Sequence, residues 1–372
     1  MRLRLFYFAP AKSIHTIRWL SAFVDMGHEV HLATTDVDFG NSIPGVIVHD
    51  MNVNGTRPGP ARFMRRWKKV RDLLRAVRPD VVHGHSVSFS GEYAAYFRVH
   101  PLVMTAWGSD VLVGPARSRL QRFATQWRIR QCDLVTVDSN DLKRAVIDLG
   151  VREDRVILVQ WGVNVERIRS LRGSGRLRHL ANIPADAFVV LSTRRFEAIY
   201  NLEVVLHAVP KVVYGTDRRV CFVFIGGGSL HCRLESLARD FGVEKHIRFL
   251  GDLPHDELEE CYGGADAYIS VPQSDSTSVS LLEAMAAGLP VVVSDVPSNL
   301  EWVRNGWNGY IVPRGDAGAI AEAVLALIAD EPARVALGAR SPEIVAKKAG
   351  HMANMRRMEE LYYALVTSER RA

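Results

Sequence analysis

The residues best suited to chemistry lie in one stretch, Ser270–Pro290. Its pattern predicts a strand, a polar loop, a helix, a glycine stop and the next strand. Asp275 lies in the loop and Glu283 about one turn inside the helix. The N–H groups that a helix N-terminus leaves open suit an anion such as a diphosphate. From this stretch alone, a capping role for Asp275 and a solvated helix face for Glu283 explain the pattern equally well.

A second candidate binding surface is the basic segment 62–78. Arginines and lysines alternate there with apolar residues at helical spacing, which predicts an amphipathic helix with a basic face. The favoured interpretation is a surface helix docked on its own sheet. The sharper alternative is that this helix also contacts an anionic membrane surface.

The composition is that of a globular enzyme. The chain has 372 residues, 48% hydrophobic and 24% charged, with a formal net charge of +6. This length suits two domains, and no apolar run approaches the roughly 20 residues of a membrane-spanning helix. The four cysteines lack ligand spacing, so neither a disulfide framework nor a zinc site is indicated. The short apolar run at the N-terminus predicts a buried strand rather than a signal peptide, and a cytoplasmic location is expected.

Short apolar runs alternate with helical patterns along the chain, which predicts parallel sheets built from βα units. The candidate strands are Leu3–Ala9, Glu29–Thr34, Val81–His83, Leu102–Ala106, Leu134–Val137, Val156–Val159, Ala187–Thr193, Val220–Ile225, Ile247–Leu250, Ala267–Val271, Val291–Ser294 and Tyr310–Val312. The polar stretch Arg167–Ile183 separates the two halves. We therefore predict an α/β fold with two facing, Rossmann-like, doubly wound domains.

The predicted domains are an N-terminal one over 1–166 and a C-terminal, nucleotide-sugar-binding one over 167–348. A C-terminal helix within 349–372 is expected to pack back on the first domain. In open parallel sheets, ligands bind beyond the carboxyl ends of the strands. Two such sheets with those ends facing would form a cleft between the domains, where the chemistry is expected.

The stretch around Asp275 and Glu283 resembles the donor-site signature of retaining family 4 glycosyltransferases with the GT-B fold. That family places two glutamates at this spacing before an Ala-Met-Ala-x-Gly-x-Pro stretch, and here Ala284–Pro290 matches it. The resemblance extends over almost the whole chain. Further matches are Gly27–Val30, Pro79–His85, Trp161–Asn164, Ile225–Gly228, Leu234-Glu235 and Ile247–Gly251.

The resemblance implies a role for each matching residue in the second domain. Arg195 would bind the diphosphate, Asp275 the hydroxyls of the donor sugar, and Glu283 the ribose. The backbone near Leu253 would contact the base. The remaining donor-binding positions implied are Tyr200, Asn201, Gly227, Ser278, Val279 and Ser280.

Several positions depart from the family pattern. Asp275 replaces a glutamate, Ser276 and Ser278 replace glycines, and Tyr200 replaces a lysine whose positive charge is therefore missing. Trp107 occupies the position of a histidine often implicated in catalysis, and an indole cannot do acid–base work.

In the first domain, the loop 9–15 lacks the usual paired glycines. Lys12, Ser13 and His15 are the candidates to compensate at the phosphates. For His15, a histidine on a helix surface is an equally good interpretation. For Asp110, a structural role at a turn and helix start is favoured over catalysis.

The implied activity is the transfer of a hexose from a nucleotide-sugar to a hydroxyl acceptor with retention of configuration. A UDP-linked donor is expected in preference to a GDP-linked one. The acceptor would be a glycan, a lipid-linked saccharide or a small molecule. The departing phosphate would take the acceptor's proton on the front face, with no cofactor and no metal. The alternative functions are those of a GT-B epimerase, of a phosphorylase and, more remotely, of a nucleic-acid-binding protein that uses segment 62–78. For the last, RNA-stacking aromatic motifs and a basic tail are absent from the sequence, so no nucleic-acid partner is expected.

Overall fold

The computed structural model describes residues 1–53, 60–88 and 90–369. The chain forms two compact units. Unit 1 comprises Met1–Trp161 and Met352–Ala372, and unit 2 comprises Gly162–His351. The predicted domain boundaries, 166/167 and 348/349, stay predictions; the two units divide after Trp161 and after His351. Residues 370–372, the end of the predicted C-terminal segment, lie outside the described part.

Unit 1 contains a parallel sheet of seven strands in the order β3-β2-β1-β4-β5-β6-β7. The strands are β1 (Arg4–Phe8), β2 (Glu29–Thr34), β3 (Val46–Asp50), β4 (Val81–His85), β5 (Leu102–Thr105), β6 (Leu134–Val137) and β7 (Val156–Leu158). The helices are α1 (Ile14–Asp25), α2 (Val37–Asn41), α3 (Pro60–Val77), α4 (Ser90–Phe97), α5 (Ser109–Leu112), α6 (Gly114–Arg117), α7 (Arg119–Arg130) and α8 (Asn140–Asp148).

Unit 2 contains a parallel sheet of six strands in the order β10-β9-β8-β11-β12-β13. The strands are β8 (Phe188–Ser192), β9 (Val220–Phe224), β10 (Ile247–Phe249), β11 (Ala267–Ser270), β12 (Val291–Ser294) and β13 (Gly309–Val312). The helices are α9 (Val165–Ser170), α10 (Arg176–Leu180), α11 (Leu202–Tyr214), α12 (His231–Asp240), α13 (His255–Tyr262), α14 (Val279–Ala286), α15 (Pro297–Leu300), α16 (Ala317–Ala329), α17 (Glu331–Ala339) and α18 (Ser341–Ala349).

The central strands are almost continuously apolar because helices cover both faces of a doubly wound sheet. Strand β8 reads Phe-Val-Val-Leu-Ser and all five residues are buried. Its residues divide between two hydrophobic cores, with Phe188 and Val190 on one face of the sheet and Val189 and Leu191 on the other. This two-sided burial explains why runs of apolar residues, and not alternating patterns, mark the strands in the sequence.

The last helix, α19 (His351–Glu369), packs within unit 1. The Tyr362 hydroxyl lies 3.0 Å from the Tyr7 hydroxyl and 2.6 Å from Nδ1 of His83. Nε2 of His28 lies 2.9 Å from Oε1 of Glu359. These polar contacts tie α19 to strands β1 and β4 and to the residue that precedes β2.

The strand order reverses once in each sheet, next to β1 in unit 1 and next to β8 in unit 2. At such a switch point the loops after two neighbouring strands diverge and leave a crevice for a ligand. In unit 2 the two loops are 193–201, after β8, and 271–278, after β11. The candidate residues with the strongest sequence signal therefore meet at the switch point.

Candidate functional site

A buried ion pair joins the two loops at the switch point of unit 2. Nη2 of Arg194 lies 2.7 Å from Oδ2 of Asp275, and the side chains are only 8% and 19% exposed. Burial raises the pKa of Asp275 above its usual value, and the neighbouring guanidinium opposes that rise. The backbone N–H of Gln273 also donates to the carbonyl of Ile199 at 2.8 Å, so the two loops are held together twice.

The same guanidinium reaches the N-terminus of α14. Nη1 of Arg194 donates to Oγ of Ser278, the N-cap residue, and lies 3.4 Å from Oγ of Ser280. Its central carbon lies 4.1 Å from the centre of the Tyr200 ring, within cation–π distance. Nε of Arg194 is buried and bonds to no described residue. Arg194 is therefore fixed in place by Asp275, Ser278 and Tyr200.

The sequence interpretation gave the diphosphate-binding role to Arg195, which stays a prediction, and in the structure it is the preceding residue, Arg194, that contacts Asp275 and Ser278. Arg195 is exposed, whereas Arg194 is buried against Asp275. Both arginines follow the end of β8, where the last strand residue is Ser192. The two neighbouring guanidinium groups therefore lie in different environments, one buried between the loops and one exposed.

The predicted donor positions after Arg195 also lie in this loop. Tyr200 ends a short 3₁₀ turn, Ala198–Tyr200, and Asn201 adopts a left-handed backbone conformation with φ of 58° before α11 begins. Asparagine tolerates that conformation better than most residues. Nδ2 of Asn201 is buried without a hydrogen-bond partner among the described residues.

Helix α14 presents its N-terminus next to Arg194. The Ser278 side chain accepts a hydrogen bond from the N–H of Leu281 at 3.3 Å. The N–H groups of the first residues, Val279 and Ser280, have no partner within the helix because a helix leaves its first amides open. Oγ of Ser280 also accepts from the Tyr268 hydroxyl at 2.9 Å. The site thus combines a guanidinium, hydroxyls and helix amides, all of which favour a negatively charged ligand.

Glu283 lies one turn further along α14 and is buried. The hydroxyl of Tyr262, from α13, donates to Oε2 of Glu283 at 3.0 Å. Nε2 of His255, at the start of α13, lies 3.7 Å from the other oxygen, Oε1. Burial, reinforced by the Glu283 carboxylate, raises the pKa of Tyr262 well above its usual value. The tyrosine therefore stays a hydrogen-bond donor.

His255, Glu259 and Glu283 bring potential metal-binding atoms within 4.8 Å of one another. Two carboxylates and an imidazole are suitable ligands for a divalent cation. Glu259, however, already pairs with Arg167, and His255 lies 3.1 Å from the same carboxylate. The Arg167 guanidinium therefore already supplies positive charge to this cluster, and we interpret it as an ion-pair network.

The loops after β9 and β10 complete this side of unit 2. The carbonyl of Gly227 accepts from the N–H of Phe196 at 3.0 Å, which connects the β9 loop to the β8 loop. A Cβ atom added to Gly227 would lie 2.9 Å from a carboxylate oxygen of Asp252. Leu253, the predicted base-contacting residue, follows directly and is half-buried.

The candidates in unit 1 form an aromatic cluster around the ends of β4 and β5. Ser13 is the N-cap residue of α1, although its side chain makes no capping hydrogen bond. The ring of His15 lies 5.0 Å from that of Trp161 and 5.9 Å from that of Trp107. The indole nitrogen of Trp107 is buried and bonds to none of the described residues.

Asp110 has the structural role expected from the sequence. Its carboxylate accepts the N–H of Val87 at 2.7 Å and the N–H of Trp107 at 3.0 Å. These bonds connect the loops that follow β4 and β5 and fix the backbone at Trp107.

His85 is a residue that sequence reasoning did not single out. It ends β4, is completely buried, and neither ring nitrogen bonds to a described residue. The rings of Tyr7, Trp19 and Trp161 surround it at centroid distances of 5.3–5.6 Å. Burial, and to a lesser degree the proximity of His15, lowers the pKa of His85 to about 3. The signal in the sequence was its place two residues after His83, with which the predicted strand Val81–His83 ends.

This burial predicts a pH dependence of stability. A histidine that titrates at about 3 when folded and near 6.5 when unfolded stabilises the fold fully above pH 6.5. That contribution is lost as the pH falls towards 3. When the pH is lowered from 7 to 5, the free energy of unfolding should decrease in both proteins. We expect the decrease to be about 2 kcal/mol smaller in His85→Phe than in the wild type.

Denaturant unfolding of both proteins at the two pH values measures this difference. His83 keeps part of the dependence in the variant, because burial also lowers its pKa well below the usual value. His207→Phe is the control, since His207 is exposed. If the free energy of unfolding decreases equally in His85→Phe and in the wild type between pH 7 and pH 5, the lowered pKa of His85 is contradicted.

Comparisons with known proteins bear on both units. The family model "Glycosyl transferases group 1" matches residues 176–343, and "Glycosyl transferase 4-like" matches residues 4–139. The chain is 24% identical over 359 residues to N-acetyl-alpha-D-glucosaminyl L-malate synthase of Bacillus anthracis, covering 93% of this chain and 92% of that protein. It is 26% identical to the lipopolysaccharide core biosynthesis glycosyltransferase LpsE of Rhizobium meliloti, covering 74% and 73% of the two chains.

Solved structures share the fold. The crystal structure of Anabaena HepE in complex with UDP and glucose superposes with a TM-score of 0.84 at 17% identity, covering 98% of this chain and all of that one. At this identity the likeness shows the two-unit, parallel-sheet architecture.

Proposed function

The chain belongs to the family 4 glycosyltransferases with the GT-B fold, and we propose that it transfers a hexose from a nucleotide-sugar, UDP-linked in preference to GDP-linked, to a hydroxyl acceptor with retention of configuration. It is a transferase enzyme of that family. The single observation that carries the proposed donor site is the buried Arg194–Asp275 pair at the N-terminus of α14, at the switch point of unit 2. HepE, with UDP and glucose bound, has the same fold.

In this proposal the donor diphosphate lies between Arg194 and the first amides of α14. When the sugar departs, negative charge builds on the phosphate oxygens. Donors already fixed around those oxygens stabilise the transition state more than the ground state. The Ser278, Ser280 and Tyr200 contacts support this role because they hold the guanidinium in one geometry. The positive charge missing at Tyr200 would thus be supplied by Arg194.

The two carboxylates hold the donor rather than act as acid and base. Asp275, oriented by Arg194, would accept hydroxyls of the hexose, and Glu283 would accept the ribose hydroxyls. Tyr262 supports the second role because its hydroxyl fixes one oxygen of Glu283. The backbone near Leu253 and Gly227 would border the base. Asn201, with its buried Nδ2, would donate to the diphosphate.

We assign the acceptor to unit 1, whose switch-point edge carries Trp107, Ser13 and His15. The indole of Trp107 donates a hydrogen bond but transfers no proton. The proton of the acceptor hydroxyl would therefore go to the departing phosphate oxygen, on the same face as the new bond. The oxygen of the acceptor replaces that phosphate oxygen at the anomeric carbon, so configuration is retained. A saccharide or lipid-linked acceptor is proposed, with a cytoplasmic location.

The experiment that tests this proposal measures nucleoside diphosphate release and the anomeric configuration of the product. We expect turnover with a UDP-hexose that needs an acceptor, yields the α-linked product from an α-linked donor, and is unchanged by a chelator. Nuclear magnetic resonance of the product reads the configuration directly. An inverted product, or activity abolished by the chelator and restored by magnesium or manganese, would contradict the mechanism.

A further inference from the structure

Helix α7 begins with an exposed segment in which arginines alternate with large apolar residues. Residues 116–123 are all exposed. Leu120 is 76% exposed and Phe123 66%, and they lie three residues apart, on one side of the helix. Arg117, Arg119 and Arg122 flank them. No acidic residue occurs anywhere from 114 to 130.

Aromatic contacts link this segment to the basic helix α3. The ring of Tyr96, on α4, lies 6.3 Å from that of Phe63 on α3 and 5.4 Å from that of Trp127 on α7. Trp127 follows Phe123 by one helical turn. Phe63 and its neighbour Met64 are themselves 44% and 60% exposed. We call the surface formed by Phe63, Met64, Tyr96, Leu120 and Phe123 with the surrounding cations the α3–α7 face.

The topology of unit 1 explains why these helices are neighbours. Strands β4, β5 and β6 follow one another across the sheet, and α4 and α5–α7 are the crossovers between them. Parallel crossovers are right-handed, so α3, α4 and α7 lie side by side on one face of the sheet. Phe63 and Leu120 lie in the first turn of α3 and α7, near the carboxyl edge of the strands. The α3–α7 face therefore adjoins the edge to which we assigned the acceptor.

The cations of this face are available to an external partner. Arg62, Arg65, Lys68, Arg117, Arg119 and Arg122 form no ion pair with any residue that the structure describes. Other cations of α3 are engaged, such as Arg66, which donates to the Met51 carbonyl at 2.9 Å. In α3, α6 and α7 together, Asp72 is the single acidic residue. The face thus joins uncompensated positive charge to exposed apolar side chains.

We propose that the α3–α7 face docks on an anionic lipid bilayer, with Leu120 and Phe123 inserted below the headgroups. Apolar side chains in a ring of arginines match the two layers of a membrane surface, with acyl chains below and phosphates above. An acidic protein surface would match the arginines but would leave Leu120 and Phe123 facing polar groups. None of the described helices is long and apolar enough to cross a membrane, so the attachment is to one surface. Docking does not depend on the donor or the acceptor.

The test is co-sedimentation of the full chain with vesicles of equal parts phosphatidylcholine and phosphatidylglycerol, and with vesicles of phosphatidylcholine alone. We expect strong binding to the anionic vesicles only. Leu120→Ser with Phe123→Ser weakens that binding at least about tenfold, since each exposed side chain loses its apolar burial. Tyr214→Ser with Leu300→Ser is the matched control, because those residues are exposed in unit 2, and it binds like the wild type.

The charge is tested separately. Replacing Arg117, Arg119 and Arg122 by Gln should remove most of the preference for anionic vesicles. The same neutralisation of the exposed Arg304, Arg356 and Arg357 lowers the net charge equally and should change binding little. Equal binding to both vesicle types, or no loss in the Leu120 and Phe123 double variant, overturns the proposal. The proposal is also overturned if the wild type forms a dimer and does not bind vesicles, while the double variant is a monomer. The α3–α7 face would then bind a second copy of the chain.

Discussion

Replacing Arg194 by Ala is expected to lower kcat/KM for the nucleotide-sugar by about 10²–10³-fold, roughly 2.7–4 kcal/mol of transition-state stabilisation. The expected loss is large because Arg194 is immobilised by Asp275, Ser278 and Tyr200. A donor held in place before the reaction needs no reorganisation when the diphosphate acquires charge. Steady-state kinetics with a UDP-hexose measure the effect.

The control is one residue away. Arg195→Ala removes the same charge from an exposed position, and we expect kcat/KM to remain close to that of the wild type. If instead kcat/KM falls severely in Arg195→Ala and only mildly in Arg194→Ala, Arg195 is the residue that binds the diphosphate. Similar defects in both variants would mean that net charge, and not the fixed geometry, carries the effect.

Arg194→Ala also leaves Asp275 as a buried charge without its partner. Removing one partner of a buried ion pair costs about 3–5 kcal/mol of stability. Thermal unfolding of the variant measures that loss. Arg194→Met combined with Asp275→Asn removes both charges and is expected to recover most of the stability without recovering activity. Recovery of activity in this folded double variant would show that Arg194 acts only on the fold.

The second large effect is expected at Glu283. We expect Glu283→Gln to weaken binding of UDP by about 10–100-fold, because a hydrogen bond to a charged group contributes about 1.5–3 kcal/mol. The loss should depend on the ribose. For 2′-deoxy-UDP the wild type should already bind more weakly, and the substitution should then cost much less. Calorimetric titration of both nucleotides into both proteins gives the coupling between Glu283 and the 2′-hydroxyl.

A matched variant separates this contact from packing. Tyr262→Phe keeps the ring in the core and removes only the hydroxyl that donates to Glu283. Its expected effect is smaller than that of Glu283→Gln and in the same direction. If Glu283→Gln weakens UDP and 2′-deoxy-UDP equally, the carboxylate does not contact the 2′-hydroxyl and its assignment to that group fails.

The apolar runs predicted the strands well because both sheets are buried on both faces. Every predicted strand is present, within a residue or two at its ends. The strand that the sequence analysis missed is β3, whose five residues are only half-buried or exposed. It lies at the edge of the sheet in unit 1, where burial no longer requires a continuous apolar run.

The candidate site was predicted less completely, for reasons that lie in the loops. Asp275, Ser278 and Glu283 belong to a loop and helix whose pattern is local: Asp275 lies in the loop before α14, Ser278 is the N-cap residue and Glu283 lies within the helix. The choice between Arg194 and Arg195 depends instead on where β8 ends and how the chain turns, which residue spacing does not determine. The environment of His85 comes from rings distant in sequence, Tyr7, Trp19 and Trp161, so no local pattern predicts it.

Calorimetric titration of a UDP-hexose into the wild type, Arg194→Ala and Arg195→Ala would show whether the nucleotide-sugar binds beside Arg194. The proposed site in unit 2 predicts saturable binding to the wild type at one site, similar binding to Arg195→Ala, and strongly weakened binding to Arg194→Ala. Generic RNA, titrated at physiological salt, should not saturate the wild type. Saturable RNA binding without binding of any nucleotide-sugar, or nucleotide-sugar binding that is unaffected by Arg194→Ala, would contradict the account.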